Sequence, residues 1–259
     1  MHLYTNIFGL VTVPTYGLMI AIGVIIANII ALFLLKKNKF DINDYIILEG
    51  YCLMGAFFGA KLLYLVVSYK DIDWSRILEP AYFNELMLGG FVFYGGLIFG
   101  LIFVFIGGKI HKINTVLFIR EFIFLIPLIH GFGRIGCFMA GCCYGVPYHG
   151  HGAVIFPENS YAISGIELFP IQIVEAVLLF CIAALILFLR IKNNFHYTVE
   201  LYFILYGITR FILEFYRYDA IRGVYFGIST SQWISIVMLL VALGLLITSK
   251  IQKKATVIL

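Results

Sequence analysis

Charged side chains are scarce in this sequence. Asp, Glu, Lys and Arg make up 12% of its 259 residues, whereas a soluble domain carries about 25%. Hydrophobic residues make up 62% of the chain, and its mean hydropathy is +1.01. The scarcity of charge excludes an ordinary soluble globular protein, and the long apolar runs indicate an integral membrane protein.

Two other kinds of signal are missing. No basic cluster is interleaved with aromatic residues, so the net charge of +4 does not indicate nucleic-acid binding. No basic region precedes the first apolar run, which follows Thr15 and is longer than the apolar core of a secretory signal peptide. We therefore expect this run to remain in the protein as a membrane span.

Seven apolar segments are candidates for membrane spans, each near the roughly 20 residues that a helix needs to cross a bilayer. They cover residues 16–35, 45–67, 88–108, 115–130, 170–189, 197–216 and 233–248. Residues 131–169 contain no apolar run long enough to span. The sequence therefore predicts an all-α integral membrane protein with about seven transmembrane helices. They form one domain over residues 1–259, with an insert at 131–169 between spans four and five.

The distribution of basic residues predicts the orientation of these spans. The loops after spans one, three and five and the C-terminal tail hold ten Lys and Arg residues, whereas the opposite loops hold five, including Arg222. Cytoplasmic loops carry the excess of basic residues in membrane proteins. We therefore expect the N-terminus outside, the C-terminus in the cytoplasm, and the 131–169 insert on the extracytoplasmic side.

The stretch from His130 to Gly145 combines glycine, arginine, histidine and cysteine directly after an apolar run. Gly131, Gly133 and Gly136 would let backbone N–H groups approach a ligand, and Arg134 supplies positive charge. This combination predicts an anion cradle. His130 is either a general base or a histidine satisfied by its surroundings.

Three cysteines in the same stretch, Cys137, Cys142 and Cys143, have four interpretations: a nucleophilic thiolate, a metal site, a disulfide or small packing residues. A metal would need a fourth ligand, His130, His149 or His151, and Cys-x4-Cys-Cys is not a standard zinc spacing. We therefore expect no metal, and favour packing or an extracytoplasmic disulfide.

Charged and polar residues within the last spans mark a second group, because charge inside hydrocarbon is costly and usually functional. Gln172 and Glu175 share one helix face at the start of span five. Arg210, Glu214 and Arg217 share one face of span six. The Arg210–Glu214 spacing fits a local salt bridge, and it equally fits a face that binds a lipid phosphate through the arginine fork.

Six short motifs, taken together, resemble the prolipoprotein diacylglyceryl transferase family of bacterial inner-membrane enzymes. They are Tyr-Gly-Leu at 16–18, Gly-Ala-Lys at 59–61, Tyr-Gly-Gly at 94–96, Gly-Arg-Ile-Gly-x-Phe at 133–138, Pro-x-Gln-x-x-Glu at 170–175, and Tyr-Gly-x-x-Arg…Glu-Phe-x-Arg at 206–217. Each motif alone is weak, but their order and spacing cover nearly the whole chain.

The resemblance implies an enzyme that moves the diacylglyceryl group of phosphatidylglycerol to the lipobox cysteine of a preprolipoprotein, forming a thioether and releasing glycerol phosphate. It implies no cofactor. Arg134 and Arg210 would hold the phosphate, and Tyr94 and His130 are the further catalytic candidates. The substrate-binding candidates are Tyr16, Gly95, Gly96, Gly133, Gly136, Gln172, Glu175, Glu214 and Arg217.

The sequence departs from the family pattern at two places. Tyr94 stands where the family commonly has a histidine, and His130 is our hypothesis for its replacement. The signature usually continues Asn-Phe-x-Asn-x-Glu, where this chain reads Cys-Phe-Met-Ala-Gly-Cys at 137–142. Two alternatives therefore stand beside the transferase: a divergent member with a different lipid or thiol-dependent transfer, and a non-catalytic lipid-binding membrane protein or small transporter, although the halves show no internal repeat.

Overall fold

The structure is a computed structural model that describes residues 3–7, 11–193, 195–218 and 223–258. Arg222, counted on the outer side by its charge, lies outside the described residues. Nine helices make up most of the described chain: α1 Thr15–Asn38, α2 Ile42–Val67, α3 Pro80–Leu88, α4 Phe93–His111, α5 Thr115–Phe122, α6 Leu125–Ala140, α7 Ile171–Asn193, α8 Thr198–Leu213 and α9 Thr230–Ile258.

Three short antiparallel strand pairs complete the described elements. They are β1 Tyr4–Ile7 with β2 Val11–Pro14, β3 Val154–Ile155 with β4 Glu167–Leu168, and β5 Val224–Tyr225 with β6 Ile228–Ser229. In the first pair Tyr4 lies opposite Pro14, so the hairpin leads directly into α1.

Five of the described helices, α1, α2, α4, α7 and α9, are long and apolar enough to cross a membrane. A sixth candidate is α5 with α6, which are bent by 50° at a break between them. Large apolar side chains such as Phe33 and Phe57, both 67% exposed, lie on the outer faces of these helices, where lipid would cover them. The protein is therefore a multi-pass helical membrane protein with five or six candidate spans among the described residues.

The sixth predicted span, 197–216, is shorter in the structure than in the sequence pattern. The helix α8 has 16 residues, and a 3-10 turn over Glu214–Tyr216 follows it. At 1.5 Å per residue, α8 is about 24 Å long, less than the roughly 30 Å of a hydrocarbon core. Length alone does not identify it as a span.

The helix bounds differ from the predicted segments at two places. The third predicted segment, 88–108, is interrupted, because α3 ends at Leu88 and α4 begins only at Phe93. The first ten residues of the predicted 131–169 insert are helical, because α6 continues to Ala140. The helix ends at Gly141, whose φ of +75° is the left-handed conformation that glycine adopts without strain.

The chain divides into two compact units, residues 1–31 with 119–259 and residues 32–118. In the first unit, α6 packs against α7, α7 against α8, and α8 against α9. In the second unit α2 packs against α4. A Cβ at Gly55 would lie 2.7 Å from the Phe103 side chain, so the small residues predicted to allow close helix contact do so here, whereas Gly50 has open space around it.

The residues after α6 fold back over the end of α8. Val146 donates its backbone N–H to Tyr216 O at 3.0 Å, and Tyr218 donates to Tyr144 O at 3.3 Å. A small apolar core of Phe156, Ala162 and Leu168 stabilises this segment. The cysteine-bearing loop therefore lies beside the C-terminal end of α8.

Candidate active site

Two arginines from different helices converge on one buried carboxylate. Arg134 of α6 donates from Nη2 to Oε2 of Glu175 on α7, and Arg210 of α8 donates from Nη1 to the same oxygen at 3.5 Å. Glu175 is 1% exposed, and the two arginines are each 6% exposed. Since an unpaired buried charge is strongly destabilising, these three side chains hold one another in the bundle.

The second amino group of Arg210 extends this network. Its Nη2 donates to Glu214 at 2.6 Å and to Oγ of Ser231, on α9, at 3.0 Å. The local salt bridge that the spacing of Arg210 and Glu214 suggested is therefore present. It does not exclude the anion-binding interpretation, since the same guanidinium also faces Glu175.

Two buried polar atoms in this region have no hydrogen-bond partner among the described residues. They are Nε of Arg134 and Oε1 of Gln172. Native proteins rarely leave such atoms unsatisfied, and each one calls for an explanation such as a ligand or a water. The other side-chain group of Gln172, its amide nitrogen, donates to Cys142 O at 2.8 Å. The site therefore offers one free donor and one free acceptor to an incoming molecule.

Tyr16 and His130 lie in the same unit as this network. A Cβ added at Gly136 would lie 3.0 Å from Cα of Tyr16, so α1 begins directly against α6. The ring of His130 packs edge-on against Tyr206 at 5.5 Å between centroids, and Glu175 is among its electrostatic neighbours. Both residues therefore lie near other residues of the predicted site, and their roles there remain predictions.

The glycines of α6 have a different role from the predicted one. Gly131, Gly133 and Gly136 are helical, so their N–H groups take part in the regular helical hydrogen bonds. The prediction that these backbone groups form an open anion cradle is wrong. A Cβ at Gly131 would overlap the Phe180 ring at 2.5 Å. The glycines at 131 and 136 permit close helix packing, and Arg134 carries the charge of the segment.

The three cysteines of the signature come together. The Sγ atoms of Cys137, Cys142 and Cys143 all lie within 4.8 Å of one another, and Nη1 of Arg134 lies 3.9 Å from Cys137 Sγ. None of the five cysteines forms a disulfide in the structure, so of the two interpretations favoured from the sequence, packing and a disulfide, the disulfide is absent here.

Cys143 is the thiol in this cluster with the strongest thiolate character. Hydrogen bonds from the Cys137 and Cys142 thiols lower its pKa, despite its burial, and the positive charges of Arg217 and Arg134 lower it further. Its backbone also has a φ of +58°, an uncommon conformation for a residue with a side chain. Because its charge acts on Cys143, Arg217 contributes positive charge to the thiol cluster. The backbone of Arg217 pairs with that of Gly145.

Tyr94, Gly95 and Gly96 lie in the second unit, in the first turn of α4. A Cβ at Gly95 would lie 2.7 Å from the Leu63 side chain, which makes this glycine a packing residue of the α2–α4 pair. Lys61, from the Gly-Ala-Lys motif, has a local role, because Nζ donates to Gly89 O at 2.6 Å. The catalytic role predicted for Tyr94 and the substrate-binding roles predicted for Gly95 and Gly96 remain proposals.

Sequence reasoning missed one member of the network, Ser231. It is 2% exposed and lies at the start of α9, 21 residues after the arginine that it binds. No spacing rule connects two such positions. Tyr206, which lies against His130, stands in a motif that the sequence singled out, but nothing in that motif indicated the contact.

Other charges in the first unit have a structural role. Arg190 binds Glu121 at 2.5 Å, and Arg120 binds Glu200 at 2.9 Å. Arg190 and Glu175 are both on α7, 15 residues apart, which is about 22 Å along the helix. Both pairs lie at the ends of α7 and α8 that are far from Glu175. In each pair the carboxylate already binds an arginine, so these residues stabilise the helix packing.

Comparison with known proteins identifies clear relatives. Residues 3–248 match the family model described as prolipoprotein diacylglyceryl transferase. The chain is 35% identical over 239 residues to the phosphatidylglycerol–prolipoprotein diacylglyceryl transferase of Clostridium tetani, covering 92% of this chain and 93% of the relative. It is 34% identical to transferase 2 of Clostridium perfringens, over 91% and 90% of the two chains. It is also 32% identical to the transferase of Campylobacter jejuni strain 81-176, over 97% of each chain.

Proposed function

The chain belongs to the prolipoprotein diacylglyceryl transferase family, and on that premise we propose how its residues carry out the reaction for which its relatives are named. The protein is a transferase that moves the diacylglyceryl group of phosphatidylglycerol to a prolipoprotein. The acceptor is the thiol of the lipobox cysteine in the signal peptide of a preprolipoprotein. No step requires an enzyme thiol as a covalent nucleophile.

The observation that carries this proposal is the convergence of Arg134 and Arg210 on Glu175 in a buried site. A phosphodiester of phosphatidylglycerol brings one negative charge, and the departing glycerol phosphate carries two. Guanidinium groups match phosphate oxygens and form strong charge-assisted hydrogen bonds. Donors that are fixed where charge develops stabilise the transition state more than the ground state.

Nε of Arg134, which has no partner among the described residues, is the donor available to a phosphate oxygen. Glu175 keeps the two arginines oriented and close together without bulk solvent. Glu214 and Arg217 line the same end of α8, where the glycerol headgroup would lie. Tyr16 and Gln172 complete the substrate contacts, with Oε1 of Gln172 accepting from a headgroup hydroxyl.

The reaction balances with no cofactor. The thiolate sulfur of the acceptor attacks the glyceryl carbon that carries the phosphate, and a carbon–sulfur bond forms. The carbon–oxygen bond to phosphate breaks, and its electron pair leaves on glycerol phosphate. The thiol proton must be accepted within the site, and His130 is the proposed acceptor because its neutral imidazole can take a proton. Tyr94 is proposed to donate a hydrogen bond, with Gly95 and Gly96 allowing the substrate to approach.

Site residues lie at matching ends of three neighbouring helices. Gln172 and Glu175 are at the start of α7, Arg210 is at the end of α8, and Ser231 is at the start of α9. We place this end on the extracytoplasmic side of the bacterial inner membrane, with the N-terminus outside and the C-terminus cytoplasmic. In this topology α8 and its 3-10 turn form the sixth of seven spans, and residues 141–169 lie outside the membrane.

One observation favours a second candidate, a divergent member with a different thiol-dependent transfer. The positions of the family's two amides and one carboxylate are occupied here by two cysteines and a small residue, and three thiols cluster beside Arg134. Such an enzyme would modify a different acceptor or use a different lipid.

Complementation separates the candidates. The gene is expressed in cells depleted of their own transferase, together with a reporter lipoprotein whose mass is measured. From the proposed transferase activity we expect the mass of the reporter to increase by one diacylglyceryl group on its cysteine, and growth to be restored. The matched control is a reporter with Ser in place of that cysteine. A reporter that stays unmodified while the protein is present in the membrane at normal levels would contradict the proposed function.

A further inference from the structure

The thiol cluster has a geometry that neither packing nor a disulfide requires. Cys137 lies in the last turn of α6, three residues after Arg134 and on the same helix face. The chain then turns at Gly141, and Cys142 N donates to Cys137 O at 3.1 Å. This turn brings Cys142 and Cys143 back over the helix end, with all three Sγ atoms within 4.8 Å of one another.

These separations are close to those of thiolates around one zinc ion. With Zn–S bonds of about 2.3 Å, tetrahedral geometry places sulfur atoms about 3.8 Å apart. The spacing Cys-x4-Cys-Cys argued against a metal because it is not a standard zinc pattern. The fold removes that objection, since ligation depends on the separation of the sulfur atoms and the helix end provides it.

Within the described part of the chain, the cluster has three candidate ligands. No His, Asp or Glu among the residues that the structure describes joins these three thiols in a ligand group. Structural zinc sites have four protein ligands, whereas catalytic sites have three and leave one position open for water or substrate. Cys137 is buried, but Cys142 and Cys143 are only partly buried, so the open position is accessible.

Charge supports the same assignment. Three thiolates with one zinc ion carry a net charge of −1. Arg134 lies 3.9 Å from Cys137 Sγ, and Arg217 is an electrostatic neighbour of Cys143. Thiolates are the ligands that select soft, borderline metals such as zinc over magnesium or calcium.

We propose that Cys137, Cys142 and Cys143 hold a zinc ion whose fourth position takes the thiol of the acceptor cysteine. This inference rests on the proposed function. The substrate thiol binds zinc as a thiolate and releases its proton, which passes to His130 or to water. The bound sulfur then attacks the glyceryl carbon, the carbon–oxygen bond breaks toward the phosphate held by Arg134, and the thioether product leaves the zinc.

The chemistry of the reaction explains why such a site would be useful. A free cysteine thiol has a pKa of about 8.5, so only a few per cent is thiolate at neutral pH. A thiol that coordinates zinc is deprotonated outright. The zinc would also place the nucleophile beside Arg134, which binds the leaving group, so that both partners of the displacement meet at one helix end.

The first test measures metal content. Full-length protein is purified in detergent without chelator, and bound metals are counted by mass spectrometry. We expect about one zinc per chain in the wild type, and a loss of at least fivefold in Cys137→Ser, Cys142→Ser and Cys143→Ser. The matched controls Cys52→Ser and Cys181→Ser change exposed cysteines on α2 and α7 and should retain zinc. No zinc in the wild type, copper in its place, or a disulfide within the cluster would overturn the inference.

The second test asks whether the acceptor thiol reaches the metal. Zinc is exchanged for cobalt(II), whose thiolate charge-transfer and d–d absorption bands report its ligands. A lipobox peptide with its cysteine should change these bands, whereas the same peptide with serine should leave them unchanged. An identical response to both peptides, or to neither, would contradict coordination of the substrate thiol.

The third test measures transfer before and after chelation. At pH 7 we expect removal of zinc to lower transfer about tenfold or more, with recovery when zinc is added. The remaining metal-free rate should rise about tenfold per pH unit up to pH about 8.5, as a free thiol ionises, whereas the zinc-loaded rate stays nearly flat. Transfer that is unaffected by chelation would overturn the zinc inference and leave the proposed function in place. Absence of any transfer by zinc-loaded wild type would overturn the proposed function, and the cobalt experiment would still decide the metal site.

Discussion

Arg134 and Glu175 form a buried ion pair between α6 and α7, 41 residues apart in the chain. Arg210 approaches the same carboxylate from α8. Glu175 thereby holds two positive charges close together in a site that lacks bulk water. Such an arrangement is destabilising unless the charges remain paired. In the proposed reaction the bound anion is the phosphate of phosphatidylglycerol, which binds with one negative charge and leaves as glycerol phosphate with two.

The geometry of the guanidinium at position 134 should matter as well as its charge. Arg134→Lys keeps the charge but removes Nε and the planar fork, so we expect transfer to fall by roughly 10²- to 10³-fold, as when one donor to a developing anion is lost. The rate is measured by mass spectrometry of a lipobox peptide in mixed micelles. Arg76→Lys, in an exposed pair with Glu79, is the control and should retain activity. Wild-type rates for Arg134→Lys would remove Arg134 from the leaving-group site.

Neutralising Glu175 should affect both stability and catalysis. Glu175→Gln leaves two buried arginines without their shared carboxylate, and breaking a buried pair costs about 3–5 kcal/mol. We expect a lower thermal unfolding temperature in detergent and a lower transfer rate per folded molecule.

Glu200→Gln provides the comparison, because Glu200 pairs with Arg120 at the opposite end of the helices. That variant should also be destabilised, but its transfer rate per folded molecule should stay within about twofold of the wild type, since a structural ion pair acts only through the folded fraction. Equal loss of specific activity in both variants would indicate that Glu175 acts only through stability.

The hydrogen bond from Arg210 to Ser231 should position the arginine. Ser231→Ala removes a hydrogen bond that contributes about 1 kcal/mol. We therefore expect roughly a fivefold increase in KM for phosphatidylglycerol, with a smaller change in kcat. Ser235→Ala, one turn later on α9, removes only a bond to the Ser231 carbonyl and should leave KM unchanged. A KM that does not respond to Ser231→Ala would show that Arg210 is held well enough by its carboxylates.

The proton acceptor is tested by a pair of substitutions. His130→Gln removes a base and should lower transfer by about 10²-fold, the lower end of general-base effects. Tyr94→Phe should lower it by less than tenfold, because this change removes only a hydroxyl group that is proposed to donate one hydrogen bond. Undiminished activity in Tyr94→Phe would remove Tyr94 from the mechanism. A larger loss in Tyr94→Phe than in His130→Gln would reverse the two assignments.

Much of the site could be predicted because placing charged side chains in hydrocarbon costs free energy, so the few that occur there usually have a function. Arg134, Glu175 and Arg210 stand out in a chain with 12% charged residues, and the structure brings these three together. The positions of Ser231 and of the thiol cluster could not be predicted in the same way. A serine in an apolar helix gives no signal, and Cys-x4-Cys-Cys is not a standard zinc spacing.

The sequence by itself determined the class of the protein and its family, because apolar content and short motifs are local properties that can be read along one chain. It also selected the charged residues of the site. Only the tertiary structure decided that Gly131 and Gly136 pack helices, that α6 runs past the predicted boundary, and that three thiols meet at its end. Those features depend on how α1, α7 and the loop after Gly141 pack against α6, and contacts between elements far apart in the chain leave no periodic signal in the sequence.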